Sequence, residues 1–220
     1  MSPFSPLIER ATELAAEWHS GTYRKSRWRA PPFLVEGEAG RIPVMSHLTM
    51  VAMTVQRAGW GEVTVAAALL HDILEDQSSA GERMDPSVLV EEVGVEVATL
   101  VQHVTEPKQS AEGRRLAWEH RKQAYVAQLR AAPPEAAAIS LADKQHNLWS
   151  MNQALEIDIN IFSGDERHPG LGGDASKQRW FHKAVLEATQ SHEDERLPPM
   201  QSQLRRELDR FERLSQPYRN

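Results

Sequence analysis

The chain has 220 residues, 40% of them hydrophobic, which is enough to close one substantial core, and no low-complexity tract or long linker divides it. It carries 25 Lys and Arg against 31 Asp and Glu, a formal net charge of −6, so it lacks the basic balance of a nucleic-acid-binding protein. It contains no cysteine, which excludes disulfides, zinc–thiolate sites, iron–sulfur clusters and a cysteine nucleophile.

Helical periodicity dominates the first third of the chain. Apolar residues at helical spacing predict a first helix that ends near Gly21. The proline- and glycine-rich composition from Trp28 to Pro43 predicts a loop. A second helix is predicted from a cap at Ser46 to Gly59. A third, from Val63 to about Asp76, is apolar on every side and should therefore lie in the middle of the protein.

The valine-rich segment after Asp85-Pro86 is interpreted as two short helices separated by Gly94. Strand is a competitor because valine favours strands, but apolar residues at three-and-four spacing between Val97 and Val104 favour helix. No segment alternates with period two over a strand length. We therefore expect an all-α, single-domain irregular helical bundle. Its further helices are predicted at about 113–131, 134–156, 175–191 and 199–214.

Polar residues interrupt the most apolar helix near its end. His71 and Asp72 are adjacent, and Glu75 and Asp76 follow one turn later, so on a helix the residues four apart share a face. Burying an unpaired charge costs roughly several kcal/mol, so these carboxylates need a cation, a hydrogen-bond network or an aqueous cleft. An adjacent His-Asp pair can equally bond to nearby backbone, and alone it does not decide between these possibilities.

A second apolar helix is interrupted in the same way. Asp143 and Asn147 lie one turn apart on a common face, and His47 opens the helix that precedes His71. Three helices could therefore bring two imidazoles and two carboxylates to one point, a mixed nitrogen and oxygen site suited to Mn²⁺, Fe²⁺ or Zn²⁺. On a helix His146 points about 60° from Asp143 and about 100° from Asn147, so a supporting role is favoured over ligation.

Taken in order, these motifs resemble the HD-domain phosphohydrolases, and within them the alarmone (guanosine tetraphosphate) hydrolases and their small stand-alone relatives. The likeness spans roughly residues 7–185 and includes GTYRK at 21–25, HLTMVA at 47–52, AALLHDILED at 67–76 and LADKQHNL at 141–148. A lone His-Asp pair is a weak signal. The ordered set of His, then His-Asp with Glu-Asp behind it, then Asp with Asn behind it is specific.

The resemblance implies an all-α fold and one Mn²⁺ that drives cleavage of a phosphate ester by water, with the ligands His47, His71, Asp72 and Asp143. It implies that Glu75 and Asp76 position or deprotonate the attacking water, and that Asn147 supports the site or touches the substrate. Arg24 and Lys25 resemble the family's basic pair that meets the phosphates of the nucleotide. The chemistry is consistent, because a bound divalent cation lowers the pKa of its water and an adjacent carboxylate can take the proton.

The leading substrate that the resemblance implies is guanosine tetra- or pentaphosphate, which would lose its 3′-pyrophosphate. One alternative is an HD-type phosphatase or phosphodiesterase acting on another nucleotide, such as NADPH or a nucleoside monophosphate. The other is a catalytically silent nucleotide-binding regulatory module. The segment from Trp28 to Pro43 and the leucine after His47 depart from the family pattern beside its nucleotide pocket. This departure supports the alternative of another nucleotide substrate.

Two further features bear on partners. No apolar run approaches the roughly 20 residues that span a bilayer, so we expect a cytoplasmic protein with neither membrane nor nucleic-acid partners. The C-terminal helix has mixed charges and one apolar face, which either packs back on the domain or forms a homodimer contact. The glycine-rich segment 162–174 is interpreted as an exposed connection, with a mobile cover over the pocket as the alternative.

Overall fold

The computed structural model describes residues 4–28, 41–109, 113–163, 170–171 and 174–218. Within these ranges the chain forms nine α-helices and one short two-stranded sheet, which confirms the expected all-α class. No helix in the described ranges is both long enough and apolar enough to cross a membrane.

The first five helices are α1 (Pro6–Trp18), α2 (Val44–Arg57), α3 (Glu62–Leu69), α4 (Pro86–Val93) and α5 (Val95–Val104). Side-chain caps start two of them: the Ser5 hydroxyl accepts from the backbone N–H of Ile8, and the Asp85 carboxylate accepts from that of Ser87. Gly94, at a φ of 84°, separates α4 from α5, a conformation that glycine adopts without the penalty of a Cβ. The valine-rich segment is therefore helical, as predicted.

The remaining helices are α6 (Trp118–Ala131), α7 (Pro134–Leu155), α8 (Ala175–Thr189) and α9 (Leu197–Leu214), followed by a 3₁₀ turn at Gln216–Tyr218. Helix α6 begins five residues later than the predicted 113. The physical reason is that Arg115 pairs with Gln109 in an isolated β-bridge, and the backbone N–H of Leu116 donates to the carbonyl of Lys108 at 3.1 Å. These non-helical bonds occupy the backbone ahead of the helix.

Two short strands, β1 (Tyr23–Trp28) and β2 (Arg41–Pro43), were not predicted, and they form an antiparallel pair. The expectation of no strand is therefore wrong here, and the predicted loop is wrong at its two ends. Strand β1 is almost wholly polar and β2 has only three residues, so neither shows an alternating hydrophobic pattern. Residues 29–40 of the predicted loop, and residues 164–169 and 172–173 of the glycine-rich segment, lie outside the described part.

Helix α3 ends at Leu69, so the predicted continuation to Asp76 is wrong. Turns follow, in which the backbone N–H of Asp76 donates to the carbonyl of Asp72 at 2.9 Å. The apolar sequence continues through Leu70, so it gives no sign of this break. The break has a structural use: consecutive residues of a helix point about 100° apart, whereas in this turn the side chains of His71 and Asp72 meet at 3.3 Å.

The core lies between α3 and α7, with α1, α2, α5 and α9 packed around them. Helix α3 is buried from Thr64 to Leu69, which confirms its predicted central position. A second cluster joins α6 to α8 through Tyr125, Leu129, Phe181 and Val185. Helices α2 and α7 and the turn after α3 therefore reach the interior together, and each carries buried polar residues there.

The apolar face of α9 packs on α7 and supplies a test of the fold. Leu204 is fully buried in this contact. We expect Leu204→Ala to lower the free energy of unfolding by about 2–5 kcal/mol, because it removes buried methyl groups and leaves a cavity. Denaturant titration followed by circular dichroism measures this, with exposed Ser202→Ala of the same helix as the control. A loss no larger than that of the control would contradict this packing.

Candidate functional site

Four polar side chains meet at one point in the interior. His47 comes from α2, His71 and Asp72 from the turn after α3, and Asp143 from α7. Nε2 of His47 lies 3.2 Å from Oδ1 of Asp143 and 3.8 Å from Oδ2 of Asp72. Nε2 of His71 lies 3.3 Å from Oδ1 of Asp72 and 3.8 Å from Oδ1 of Asp143. The structure thus brings together the four residues that the sequence proposed as ligands.

These separations fit the donor set of a divalent cation. With bonds of about 2.1 Å, neighbouring ligand atoms around a tetrahedral or octahedral ion lie about 3.0–3.5 Å apart, and opposite ones about 4.2 Å apart. The ligand atoms of His47, His71 and Asp143 all lie within 4.8 Å of one another. These three residues are buried, whereas the Asp72 side chain is 25% exposed, so the site reaches solvent beside Asp72.

His71 is oriented as a ligand by its own backbone. Its Nδ1 donates to the carbonyl of Ala68 at 2.8 Å, so in the neutral ring Nε2 carries no proton and can bind a cation. Nε2 is buried and has no hydrogen-bond partner among the described residues, although Oδ1 of Asp72 lies 3.3 Å away. A buried acceptor without a partner costs free energy unless a cation or water takes that place. A carbonyl that holds the far ring nitrogen is also the usual support of a metal-binding histidine.

The charges around this point favour the binding of a cation. Burial lowers the pKa of His71, but the carboxylates of Asp72 and Asp143 outweigh burial and raise the pKa overall. For Asp143, burial raises the pKa, but Lys144 and His47 outweigh it and hold the pKa well below its ordinary value. Asp143 is therefore ionised at neutral pH, and the site attracts positive charge, either a proton or a metal ion.

His47 is supported by a second histidine. Its Nδ1 lies 2.7 Å from Nδ1 of His146, whose ring stacks on Trp149 at 5.6 Å between centroids. Burial lowers the pKa of His47 to about 3, so its ring is neutral. With its proton on Nε2, His47 donates to Asp143. With the proton on Nδ1, it donates to His146 and leaves Nε2 free for a cation.

This contact predicts a measurable role for His146 in metal binding. His146→Phe keeps a ring to stack on Trp149 but cannot accept from His47. Because such supporting bonds orient ligands, we expect metal affinity to fall by about 10–100-fold. Competition titration with a chelating dye measures the affinity, and His103→Phe on α5, away from the site, is the control. Equal affinities in the two variants would contradict the role.

Asp143 is held by a chain of polar contacts that reaches β1. Nδ2 of Asn147, one turn later on α7, donates to Oδ1 of Asp143 at 2.5 Å, and the Lys144 ammonium pairs with Oδ2. Oδ1 of Asn147 accepts from Nη2 of Arg24 at 2.6 Å. Two residues predicted to bind substrate, Arg24 and Asn147, therefore contact each other. Lys25 is in β1, but its side chain lies outside the described part of the structure.

Glu75, the predicted base, lies at the edge of the site. Its Oε1 accepts from the backbone N–H of Glu106 at 2.7 Å, and its carbonyl accepts from Lys108. Burial and, next, the charge of Asp72 raise the pKa of Glu75 to about 7. A carboxyl group whose pKa is near the working pH suits proton transfer. Asp76, the second predicted residue, accepts from Nε1 of Trp18 through its carbonyl at 3.3 Å.

Two clefts adjoin the site, one lined by Glu75 and the other by Lys144 and Asn147, which contact Asp143. The larger, about 990 Å³, contains Glu75 and Asp76 together with the cationic side chains of Arg83, Lys108, Arg115 and Arg121. The smaller, about 360 Å³, contains the cations Arg24, Arg121, Lys122 and Lys144, with Asn147. Arg121 lines both clefts. Cations thus gather around the site of an acidic protein, as a polyanionic ligand requires.

Sequence reasoning missed the cations of α6 and of the segment before it. Buried Glu106 accepts from Arg121 at 3.1 Å and from Lys122, and so fixes both side chains between the clefts. The sequence of α6 carries no strong apolar face, and its charges resemble an ordinary solvated surface. The available signal was Glu106, which lies two residues after the apolar helix α5 and is followed by scattered cations at 108, 114, 115, 121 and 122.

Comparison with known proteins identifies a family model and several relatives. The sequence matches the family model described as HD domain over residues 33–160. It is 30% identical over 145 residues to a probable GTP pyrophosphokinase of Mycobacterium leprae, and 31% identical over 144 residues to a GTP pyrophosphokinase of Streptomyces coelicolor. Each match covers 66% of this chain but only 16% and 14% of those proteins, so the chain spans about a sixth of their length.

Solved structures share the fold. A metazoan ortholog of SpoT, which hydrolyses ppGpp, superposes with a TM-score of 0.63 at 21% identity and 97% coverage of both chains. The crystal structure of lmo0812 from Listeria monocytogenes EGD-e superposes with a TM-score of 0.60 at 28% identity, covering 75% of this chain and 97% of that one. The family model covers more than half of the sequence, including all four candidate ligands. The chain therefore belongs to the HD-domain family of phosphohydrolases.

Proposed function

We propose that this protein is a metal-dependent hydrolase of a phosphorylated nucleotide, and that its reaction is removal of the 3′-pyrophosphate from guanosine tetra- or pentaphosphate. The observation that carries the proposal is the meeting of His47, His71, Asp72 and Asp143 beside Glu75, at the edge of a cation-lined cleft. The SpoT ortholog that shares the fold hydrolyses ppGpp, and this supports the choice of substrate.

The four ligands would hold one divalent cation, for which Mn²⁺ is the first candidate and Fe²⁺ or Zn²⁺ the alternatives. When bound, such an ion supplies a more acidic water and polarises a phosphoryl oxygen. Asp143 serves as a ligand in its ionised form, because Lys144 and His47 keep its pKa low. In its neutral form, which a bound cation favours over the protonated one, His71 presents an unprotonated Nε2, because the carbonyl of Ala68 accepts from Nδ1.

Glu75 takes the proton from the attacking water, and Asp76 on the same cleft wall helps to orient that water. The water oxygen forms a bond to the phosphorus attached to the 3′-oxygen, and the bond from that phosphorus to the 3′-oxygen breaks. The 3′-oxygen takes up the proton that Glu75 accepted and becomes the 3′-hydroxyl of the product. The products are pyrophosphate and GDP or GTP. The fixed cations Arg121 and Lys108 stand beside the carboxylates, where they can offset the charge of the phosphates.

A nucleotide panel tests the proposal. We expect Mn²⁺-dependent release of pyrophosphate from guanosine tetraphosphate, measured by ion chromatography beside orthophosphate. Release of orthophosphate alone, from NADPH or a nucleoside monophosphate, would replace this reaction by that of an HD-type phosphatase. Nucleotide binding with no turnover under any metal would indicate a silent regulatory module.

The pH dependence should report Glu75. As a base it must be deprotonated, and its raised pKa of about 7 means that activity falls as the pH falls through this region. A cation bound at Asp72 would offset the charge that raises the pKa, so we expect the midpoint of the acid limb at or below about 7. Measuring kcat/KM from about pH 5 to about pH 9 at saturating Mn²⁺ gives the midpoint. Constant activity throughout this range would contradict the assignment.

A further inference from the structure

One buried histidine of the smaller cleft has no role in the reaction as described above. His182, on α8, is 2% exposed, and this residue lines the cleft together with Lys144 and Asn147. Its Nδ1 donates to the carbonyl of Gln178, one turn earlier, at 2.8 Å. Nε2 therefore carries no proton. It is buried without a hydrogen-bond partner among the described residues.

The tautomer and charge of His182 are fixed. Its proton is held on Nδ1 by the helix itself, so Nε2 can act only as an acceptor. Burial lowers the pKa of His182 to about 4, and the neighbouring ammonium groups of Lys144 and Lys122 add to this. The ring is neutral at physiological pH. An empty acceptor in this position costs free energy unless a ligand or water completes it.

The neighbouring cations do not supply the missing donor. The Lys144 ammonium pairs with Asp143, and the Lys122 ammonium pairs with Glu106. Phosphate oxygens are acceptors near neutral pH, so the phosphates of a nucleotide cannot satisfy Nε2 either. The missing partner is a neutral O–H or N–H group. A nucleotide carries such groups on its ribose and its base.

The rest of the cleft suits a nucleoside. Trp118, which is partly exposed, gives it aromatic surface on which a sugar or a base can pack, and buried Phe181 lies behind it. Arg24, which donates to Asn147, adds a planar cation to the same cleft. The larger cleft, by contrast, places its cations beside Glu75 and Asp76, where the phosphates are cleaved in the proposed reaction.

We propose that Nε2 of His182 accepts a hydrogen bond from a ribose hydroxyl or a base amine of the substrate, and that His182 thereby determines nucleoside specificity. This inference rests on the proposed function, since it names the part of the nucleotide that the smaller cleft recognises. A site built to bond a substrate N–H or O–H discriminates against an analogue that lacks the group, because its own polar atom is then left unpaired.

Substrate analogues with and without the donor test this. His182→Phe keeps a ring in the cleft and removes the acceptor, and we expect kcat/KM for guanosine tetraphosphate to fall about three- to tenfold. The 2′-deoxy analogue lacks the hydroxyl, and the inosine analogue lacks the base amine. For wild-type enzyme, kcat/KM should fall by a similar factor when guanosine tetraphosphate is replaced by one of these two analogues. For His182→Phe, kcat/KM should be the same with that analogue as with guanosine tetraphosphate.

Two variants serve as controls. His182→Gln retains a side-chain acceptor and should recover part of the loss, which a purely structural role would not predict. His192→Phe changes a histidine whose Nε2 lies 3.1 Å from the carbonyl of Leu129, outside the cleft, and should leave the analogue ratios unchanged. Thermal unfolding of each variant shows whether the fold is kept.

The outcomes separate the two proposals. If wild-type enzyme discriminates against neither analogue, or if His182→Phe retains the wild-type discrimination, the role of His182 is overturned. If wild-type enzyme hydrolyses none of the three nucleotides, the proposed reaction fails. Calorimetry then measures the Kd of GDP, 2′-deoxy-GDP and IDP for the wild-type and His182→Phe proteins. The ratios of these Kd values between nucleotides decide the role of His182 in the same way as the ratios of kcat/KM.

Discussion

Glu75→Gln should lower turnover by about 10²–10⁴-fold and leave the protein folded with its metal bound. The amide has nearly the shape of the carboxylate, and its oxygen can still accept from the N–H of Glu106. What the variant loses is the ability to take a proton from water. Glu75 is not one of the four side chains that converge as ligands, so metal content should be unchanged.

Steady-state kcat and metal analysis by mass spectrometry, made on the same preparation, measure both parts of this prediction. Glu91→Gln, an exposed residue of α4, is the matched control and should keep wild-type activity. Turnover that persists in Glu75→Gln would contradict the assignment of Glu75 as the general base. Loss of metal together with activity would move Glu75 from proton transfer to metal binding.

Asp143→Asn should abolish metal binding. Asp143 lies within 3.2 Å of His47 and 3.8 Å of His71, so it connects the two imidazoles, and it pairs with Lys144. An amide is a poorer ligand, and it leaves the buried ammonium without its carboxylate, which costs several kcal/mol, about 3–5 for a fully broken buried pair. We expect activity to fall more than about a hundredfold.

Chelator treatment distinguishes the two effects. It should remove activity from the wild-type protein and lower its Tm, because an ion that binds only the folded state stabilises it. The Tm of Asp143→Asn should not respond to chelator. Exposed Asp209→Asn of α9 is the control and should behave as wild type. An Asp143→Asn protein that retains one tightly held ion would remove Asp143 from the ligand set.

Helix positions were predictable where one face is buried or where a side-chain cap forms. The predicted cap at Ser46 is wrong, because α2 begins at Val44 and the Ser46 hydroxyl donates to the carbonyl of Pro43 at 2.8 Å. Asp174, whose carboxylate accepts from the N–H of Lys177, and Leu204, Leu208 and Phe211 on one face are such signals for α8 and α9. The strands β1 and β2 carry no such signal, because their pairing depends on residues distant in sequence. The end of α3 was also hidden, since its apolar run continues into the turn.

The candidate ligands could be found from the sequence because ligand-type residues in apolar segments are costly and therefore conspicuous. The smaller cleft could not be found in that way. The cations Arg121 and Lys122 have the pattern of a solvated helix face, and their position depends on buried Glu106. The empty acceptor of His182 follows from a backbone contact within α8, and one histidine in a sequence does not reveal its tautomer.

The turn after α3 has a further consequence for folding. Because His71 and Asp72 are adjacent and both face His47 and Asp143, one bound ion would join three segments that are far apart in the chain. Such a junction acts as a reversible cross-link that closes long loops. Because the entropy cost of closing a loop rises with its length, a cross-link stabilises the fold more when the loop is long. Assembly of the three segments and capture of the ion would then be one cooperative event, in which metal supply sets how much folded protein a cell maintains.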